Sequence, residues 1–179
     1  MPTLLSHAAV PLAMYVASER GRVPPRLLAA GVVAAMLPDA DVVAFAMHIP
    51  YADAFGHRGA SHSLPFALLI AALGACVAKP LRSSPLQAMT WLFVCTASHP
   101  LLDAMTSGGL GVALAWPWND ARWFAPWRPI RVSPIGVGFF SARGVETLLS
   151  ELRWVWLPLF VGAGMWKLIN RKPGHPPPH

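Results

Sequence analysis

The run LLAAGVVAAMLPDADVVAFAM, residues 27–47, decides the class of this chain. A helix of that length rises about 30 Å at 1.5 Å per residue, which matches the hydrocarbon core of a bilayer. Its side chains suit lipid, yet Asp39 and Asp41 stand past its midpoint, directly after Pro38. Ionisable groups inside an apolar span are expensive and mark a functional site by default. Pro38 brings no N–H and loosens the helix there, so the aspartates gain freedom to turn into a cavity. Taken alone, the pair reads equally well as a helix cap after a proline break.

Four further apolar stretches flank this one: Leu4–Ala17, Ser63–Ala78, Leu86–Met105 and Trp154–Ile169. The first is short for a span and is interrupted by His7 and Pro11. Only 12% of the 179 residues are charged, and 55% are hydrophobic. A soluble domain carries about 25% charged residues, so this surface is built for lipid. The fold expected is all-α, a multi-pass transmembrane bundle of four to five helices in a single domain over residues 1–171. A Pro-rich tail, residues 172–179, is expected to be disordered, with His175 and His179 idle in it. Between Gly108 and Arg153 the hydropathy drops, and Trp116, Trp118, Trp123 and Trp127 crowd among prolines. That composition suits a loop at the membrane–water interface.

The net charge of +6 lies in clusters between apolar stretches, and no basic stripe with interleaved aromatics accompanies it. Nucleic acid is therefore not an expected partner. Cys76 and Cys95 lie inside apolar runs and form neither a disulfide framework nor a CxxC motif. No basic n-region precedes Leu4, which argues against a cleavable signal peptide. If all five stretches cross with the N-terminus outside, the inner side receives Arg20, Arg22, Arg26, Lys79, Arg82, Lys167, Arg171 and Lys172. Its short loops are then the basic ones, as the positive-inside rule requires.

In that topology every intramembrane polar group falls toward one leaflet, the outer one. His7 is near the start of the first stretch, and Asp39 and Asp41 are late in the second. His57 and His62 precede the third, and His99 and Asp103 are late in the fourth. A helix puts His99 and Asp103, four apart, on one face. Gly59 permits a tight turn that brings His57 and His62 together. Imidazole and carboxylate donors together suit zinc, manganese or iron better than magnesium or calcium. Singly, His7 reads as a packing histidine, His99 with Asp103 as an internal hydrogen bond, and Arg58 as a solvated loop residue or a clamp for an anion. His48 reads as an interfacial residue without a role. Jointly, buried ionisable groups on one leaflet need mutual compensation, and a metal centre supplies it. Its candidate ligands are His7, Asp39, Asp41, His57, His62, His99 and Asp103, with zinc the first expectation.

The early histidine, the Leu-Pro-Asp-x-Asp run, His57-Arg58-Gly59-x-Ser61-His62-Ser63 and His99-Pro100-Leu-Leu-Asp103-x-x-Thr106 resemble the YdjM-like family. That family is described as LexA-binding, inner-membrane-associated and metal-dependent in its hydrolase assignment. The resemblance implies a bacterial multi-pass inner-membrane protein with a hydrolase-type site on those residues. A more distant similarity, in the order His, Asp, His, His-x3-Asp, reaches zinc-dependent phospholipase C and P1-type nucleases. Those enzymes cleave phosphoesters at multinuclear zinc sites and supply further ligands downstream, where this chain offers only Glu146 and Glu151.

The expected function is a membrane-embedded, metal-dependent hydrolase, a phosphoesterase acting on a lipid or lipid-linked substrate. A bound cation activates water. Asp39 or Asp41 would act as the base, and Arg58 would steady the developing anion. The competing expectation is a transporter or a proton or metal-ion pathway built from the same His/Asp cluster.

Overall fold

The computed structural model describes residues 1–134 and 136–170, and the tail 172–179 lies outside them. The first apolar stretch forms α1 (Leu4–His7) and α2 (Ala9–Ala17). The second forms α3 (Pro25–Met36), a 3-10 stretch Leu37–Val42 and α4 (Val43–Ala46). Then come α5 (Leu64–Cys76), α6 (Pro85–Ala104), α7 (Ala142–Glu151), a π turn Leu152–Trp156 and α8 (Leu157–Ile169). The described residues contain helices and loops, with two isolated β-bridges and no strand.

Local chemistry explains several of these boundaries. Ser63 Oγ accepts from Phe66 N–H at 3.1 Å and opens α5, and Ser84 Oγ accepts from Gln87 N–H at 3.2 Å and opens α6. In both helices a proline occupies the first turn, where no N–H is needed. The first stretch breaks at Ala8, not at Pro11. The reason is the same missing donor: Pro11 has no N–H to offer the carbonyl four residues earlier, at His7. Pro38 acts likewise on the second stretch, which tightens into the 3-10 turns that carry both aspartates.

Helix α6 is the centre of the packing, with α5 on one side and α3 on the other, while α2 joins α3 to α8. Close approach relies on small residues. A Cβ on Gly31 would stand 2.2 Å from Trp91 Nε1, so α3 and α6 could not meet as they do. The burial pattern is inverted relative to a soluble protein. On α5, Ala67, Ala71 and Gly74 are buried while Leu68, Leu69 and Leu73 face outward. On α8, Ala163 is buried and Val161, Met165 and Leu168 are exposed. On these two helices the inner side is small and the outer side is large and apolar, as in helices that pack within lipid. Among the described residues, Pro25–Ala46 is the one helix long and apolar enough by itself to cross a membrane, and Leu4–Ala17 and Leu64–Cys76 are shorter apolar helices.

The region 108–153 is not one loop, because α7 occupies its end. That helix buries Gly144, Thr147 and Glu151 and exposes Val145, Leu148 and Leu149. The tryptophan-rich part is laced to the end of α6. Ala125 N–H donates to Ala104 O at 2.9 Å, Ile130 N–H to Met105 O at 3.2 Å and Ser107 N–H to Ile130 O at 2.8 Å. Ile130 and Val112 are fully buried beneath it, while Trp118, Trp123 and Trp127 stay outside.

The two ends of the bundle differ in charge. Arg26 Nη1 donates to Pro80 O at 3.2 Å, which puts the α2–α3 and α5–α6 turns side by side. Arg20, Arg22 and Lys167 line one cavity at that same end. The histidines and aspartates gather at the other end.

Candidate metal centre

Four segments deliver donors to one point. His7 closes α1, Asp39 sits in the 3-10 turns, His62 immediately precedes the Ser63 cap of α5, and His99 and Asp103 share the last turns of α6. All five side chains are buried. Asp39, His62, His99 and Asp103 each present a donor atom within 4.8 Å of the other three.

Hydrogen bonds on the far side of each imidazole fix which nitrogen faces inward. His99 Nδ1 lies 2.7 Å from Ala35 O. A carbonyl only accepts, so Nδ1 carries the proton and Nε2 presents its lone pair. His62 Nδ1 lies 3.1 Å from Asp41 Oδ2 and 3.0 Å from Ser61 Oγ. Ser61 O–H itself donates to Asp41 Oδ2 at 2.6 Å, leaving its oxygen to accept from His62. His62 Nε2 therefore also points inward, and the two Nε2 atoms stand 3.0 Å apart. Lone pairs at that distance repel unless a cation or a proton lies between them.

Oxygen donors complete the set. Asp39 Oδ1 is 3.4 Å from His99 Nε2 and 3.7 Å from His62 Nε2, and Asp103 Oδ2 is 3.3 Å from His62 Nε2. His7 stacks on His99 at 3.6 Å between ring centroids, and its Nε2 is 3.8 Å from both Asp39 Oδ2 and Asp103 Oδ1. Both nitrogens of His7 and all four carboxylate oxygens of Asp39 and Asp103 are buried without a hydrogen-bond partner. Unsatisfied buried polar atoms are rare, and although Arg58 Nε lies 3.0 Å from Asp103 Oδ2, two buried carboxylates beside one guanidinium leave room for a further positive partner. Donors about 2.0–2.1 Å from a tetrahedral ion lie roughly 3.3 Å from one another. The spacing and the mixed nitrogen–oxygen chemistry thus fit a zinc-type divalent ion.

The other sequence candidates stand one layer out. Asp41 accepts from Arg58 N–H at 3.0 Å, contacts His57 Nδ1 at 2.6 Å and holds His62 as described, so its oxygens are occupied. His57 and Asp41 form a second group of potential donors that shares His62 with the first. Arg58 is not a solvated loop residue. It is fully buried with a left-handed φ of 63°. Its Nε is 3.0 Å from Asp103 Oδ2, Nη1 donates to Gly108 O at 3.1 Å and Nη2 to Thr106 Oγ1 at 3.1 Å. These contacts hold the guanidinium against Asp103, Gly108 and Thr106. Gly59 serves close packing and not a left-handed turn: its φ is −86°, and a Cβ there would stand 2.1 Å from Ala54 O.

Sequence reasoning missed two supports. The Ala35 carbonyl that orients His99 has no side-chain signature. Arg122 donates to His57 O at 3.2 Å and Asp53 O at 2.8 Å and ties down the loop that carries His57 and Arg58. Glu151 is buried, but away from the donors. It accepts from Thr3 N–H, from Thr3 Oγ1 at 2.6 Å and from Ser6 Oγ at 2.7 Å, and Trp156 Nε1 donates to Ser6 Oγ at 2.9 Å. Glu146 is exposed and pairs with Arg131 at 2.6 Å. The downstream acids therefore add no donor to the cluster.

The chain matches the family described as YdjM inner membrane protein over residues 1–172. It is 43% identical over 171 residues to the inner membrane protein YbcI of Escherichia coli (strain K12), an alignment covering 93% of this chain and 99% of that one. No solved structure matches it.

Proposed function

The chain belongs to the YdjM family of inner membrane proteins, and from that premise we propose that it is a multi-pass, metal-dependent hydrolase of lipid or lipid-linked phosphoesters. The observation that carries this reading is the convergence of the buried Asp39 and Asp103 carboxylates, none of whose four oxygens makes a hydrogen bond, on His7 and on the inward Nε2 atoms of His62 and His99. Arg58, 3.0 Å from Asp103 Oδ2, balances one carboxylate charge, and a cation would balance the other.

In this reading His7, Asp39, His62, His99 and Asp103 hold the ion, zinc first and manganese or iron as alternatives. What a divalent cation supplies at such a site is Lewis-acid activation of water and of a phosphoryl oxygen. Asp41 serves as the carboxylate that orients His62 and raises its basicity through Nδ1, the outer-layer role that ligating histidines usually require. Arg58 fixes the Asp103 carboxylate, and Thr106 and Gly108 fix Arg58. Asp39 is the acid positioned to take a proton from water, since its oxygens have no other hydrogen-bond partner. The helices cross with the basic turns inside and the cluster toward the outer leaflet, a placement supported by the apolar exterior and the segregation of Arg20, Arg22 and Lys167 to the opposite end. A transport path would have to run on through that end, where Val23, Leu27, Ala88, Trp91 and Leu92 pack as an apolar core.

The test is elemental analysis of the purified chain beside its Asp103→Ala variant, followed by a phosphoester screen of the metal-loaded form. Bound zinc, manganese or iron that disappears in the variant, with hydrolysis of a lipid phosphoester, supports the reading. No metal after reconstitution, or full occupancy in Asp103→Ala, overturns it.

A further inference from the structure

A second polar site lies at the donor end of the bundle, outside the centre itself. It is a cavity of about 430 Å³ whose walls carry Arg128, Arg131, Arg143, Ser107 and Thr147. That volume falls in the range of sites for small ligands. The chain builds it around Ile130, which is fully buried, donates to Met105 O and accepts from Ser107 N–H at the end of α6. With Ile130 pinned inside, Arg128 and Arg131 on either side of the Pro129–Ile130 step stay at the surface. Arg143 comes from the first turn of α7, and Arg131 N–H donates to Ser150 Oγ of that helix at 3.0 Å. Ser107 follows Thr106, whose Oγ1 accepts from Arg58, so the cavity and the centre share the end of α6.

We propose that this cavity binds a phosphate monoester, held by the guanidinium groups of Arg128 and Arg143 and by the Ser107 hydroxyl. The site is separate from the metal centre and does not depend on the hydrolase reading. Three observations carry it. First, the charges do not balance. Arg131 pairs with Glu146 at 2.6 Å, whereas Arg128 lies over the Phe124 ring at 4.6 Å and Arg143 has no carboxylate partner among the described residues. Two guanidinium charges are left over, and a phosphate monoester carries about two negative charges at neutral pH. Second, the donors are free. Neither Arg128 nor Arg143 donates a side-chain hydrogen bond among the described residues, and Ser107 Oγ accepts from Val132 N–H at 3.3 Å and keeps its own O–H to give. Planar guanidinium forks match phosphate oxygens two at a time, which an ammonium group does not. Third, local rules argue against cations here. Arg143 stands in the first turn of α7, which holds no acidic residue, so its charge opposes the helix dipole. In the topology proposed above this end is the outer one, whereas the positive-inside rule gathers basic residues at the other. An anion seated between the arginines answers both.

The experiment titrates the full chain, in phosphatidylcholine nanodiscs, with glycerol phosphate by isothermal titration calorimetry, and metal content is measured on every sample. Saturable binding is expected. Arg143→Gln and Arg128→Gln should each weaken it about tenfold, the loss of one charge-assisted hydrogen bond, with metal content unchanged. Both side chains are exposed, so neither variant removes a buried contact. Glycerophosphocholine, whose phosphate carries a single charge, should bind more weakly than glycerol phosphate. Doping the discs with phosphatidic acid separates the two sources of ligand. Competition with glycerol phosphate puts a lipid headgroup in the cavity, and its absence assigns the cavity to a monoester arriving from water. No binding, equal binding of glycerophosphocholine, or an equal loss on Arg20→Gln at the opposite end of the bundle would overturn the proposal. So would unchanged affinity in both cavity variants, which would put the ligand at the metal centre instead.

Discussion

Two buried carboxylate sites lie at the two ends of α1, and they are opposites. At its start, Glu151 is buried and fully engaged, accepting from Thr3 and Ser6, with Trp156 bonded to Ser6 in turn. At its end, Asp39 and Asp103 are equally buried beside His7, none of their four oxygens makes a hydrogen bond, and the fixed positive charge beside them is Arg58, whose Nε is 3.0 Å from Asp103 Oδ2. Burial and charge type are shared, so neither separates the two. Satisfaction does. A buried carboxylate whose acceptors are filled by its own chain joins two pieces of structure, here α1 to the α7–α8 junction. One whose acceptors converge unfilled on imidazole lone pairs is arranged for a ligand from outside.

That contrast can be broken or sharpened by substitution. The largest effect belongs to His99→Ala, which removes the inward Nε2 and should take the metal from about one equivalent to none. Inductively coupled plasma measurement on the purified variant checks this. Arg58→Met comes next. It leaves Asp103 with one positive neighbour fewer in a dry interior, and about 3–5 kcal/mol of stability should go, the loss typical of breaking a buried pair. A melt of the detergent-solubilised protein reads it, and an unchanged midpoint would show that the Arg58–Asp103 contact contributes nothing. Asp41→Asn should keep the stoichiometry at saturating metal but weaken affinity about 10–100-fold, since His62 loses its orienting carboxylate. Competition against a chromogenic chelator measures the shift. Glu151→Gln should cost about 1–3 kcal/mol, because one accepting oxygen becomes an NH2 facing the Thr3 and Ser6 donors, with metal content unchanged. If Glu151→Gln strips the metal as completely as His99→Ala, the two sites are one and the contrast collapses. Trp118→Ala is the smallest, within about 0.5 kcal/mol, because the side chain is 80% exposed.

The helices were legible in sequence because their signal is local. Each of the five apolar stretches became helical, the first and second in two α-helical pieces, and Pro38 interrupted the second where its missing donor said it would. Helix α7 escaped notice because Val145, Leu148 and Leu149 sit among charged neighbours, and the face it buries is Gly144, Thr147 and Glu151. A helix that hides small and polar residues and exposes leucines looks like the reverse of a core helix. The donor residues could be named from type and spacing. What could not be read was their division into an inner set and an outer layer. Asp39 and Asp41 are two residues apart, and only the path of the 3-10 turns decides which one meets His99 and which one meets His57. Arg58 was misjudged for the same reason. A loop arginine is solvated by default, and the carboxylate that claims it comes from the far end of α6.

The satisfied site also sets an order in time. All the donors lie between His7 and Asp103, whereas the carboxylate that pins α1 is at Glu151. As the chain is synthesised, α1 emerges first and waits through the making of α3, α5 and α6 before its anchor exists. His7 is thus the first donor to be made, on a helix whose Glu151 anchor is made after every donor.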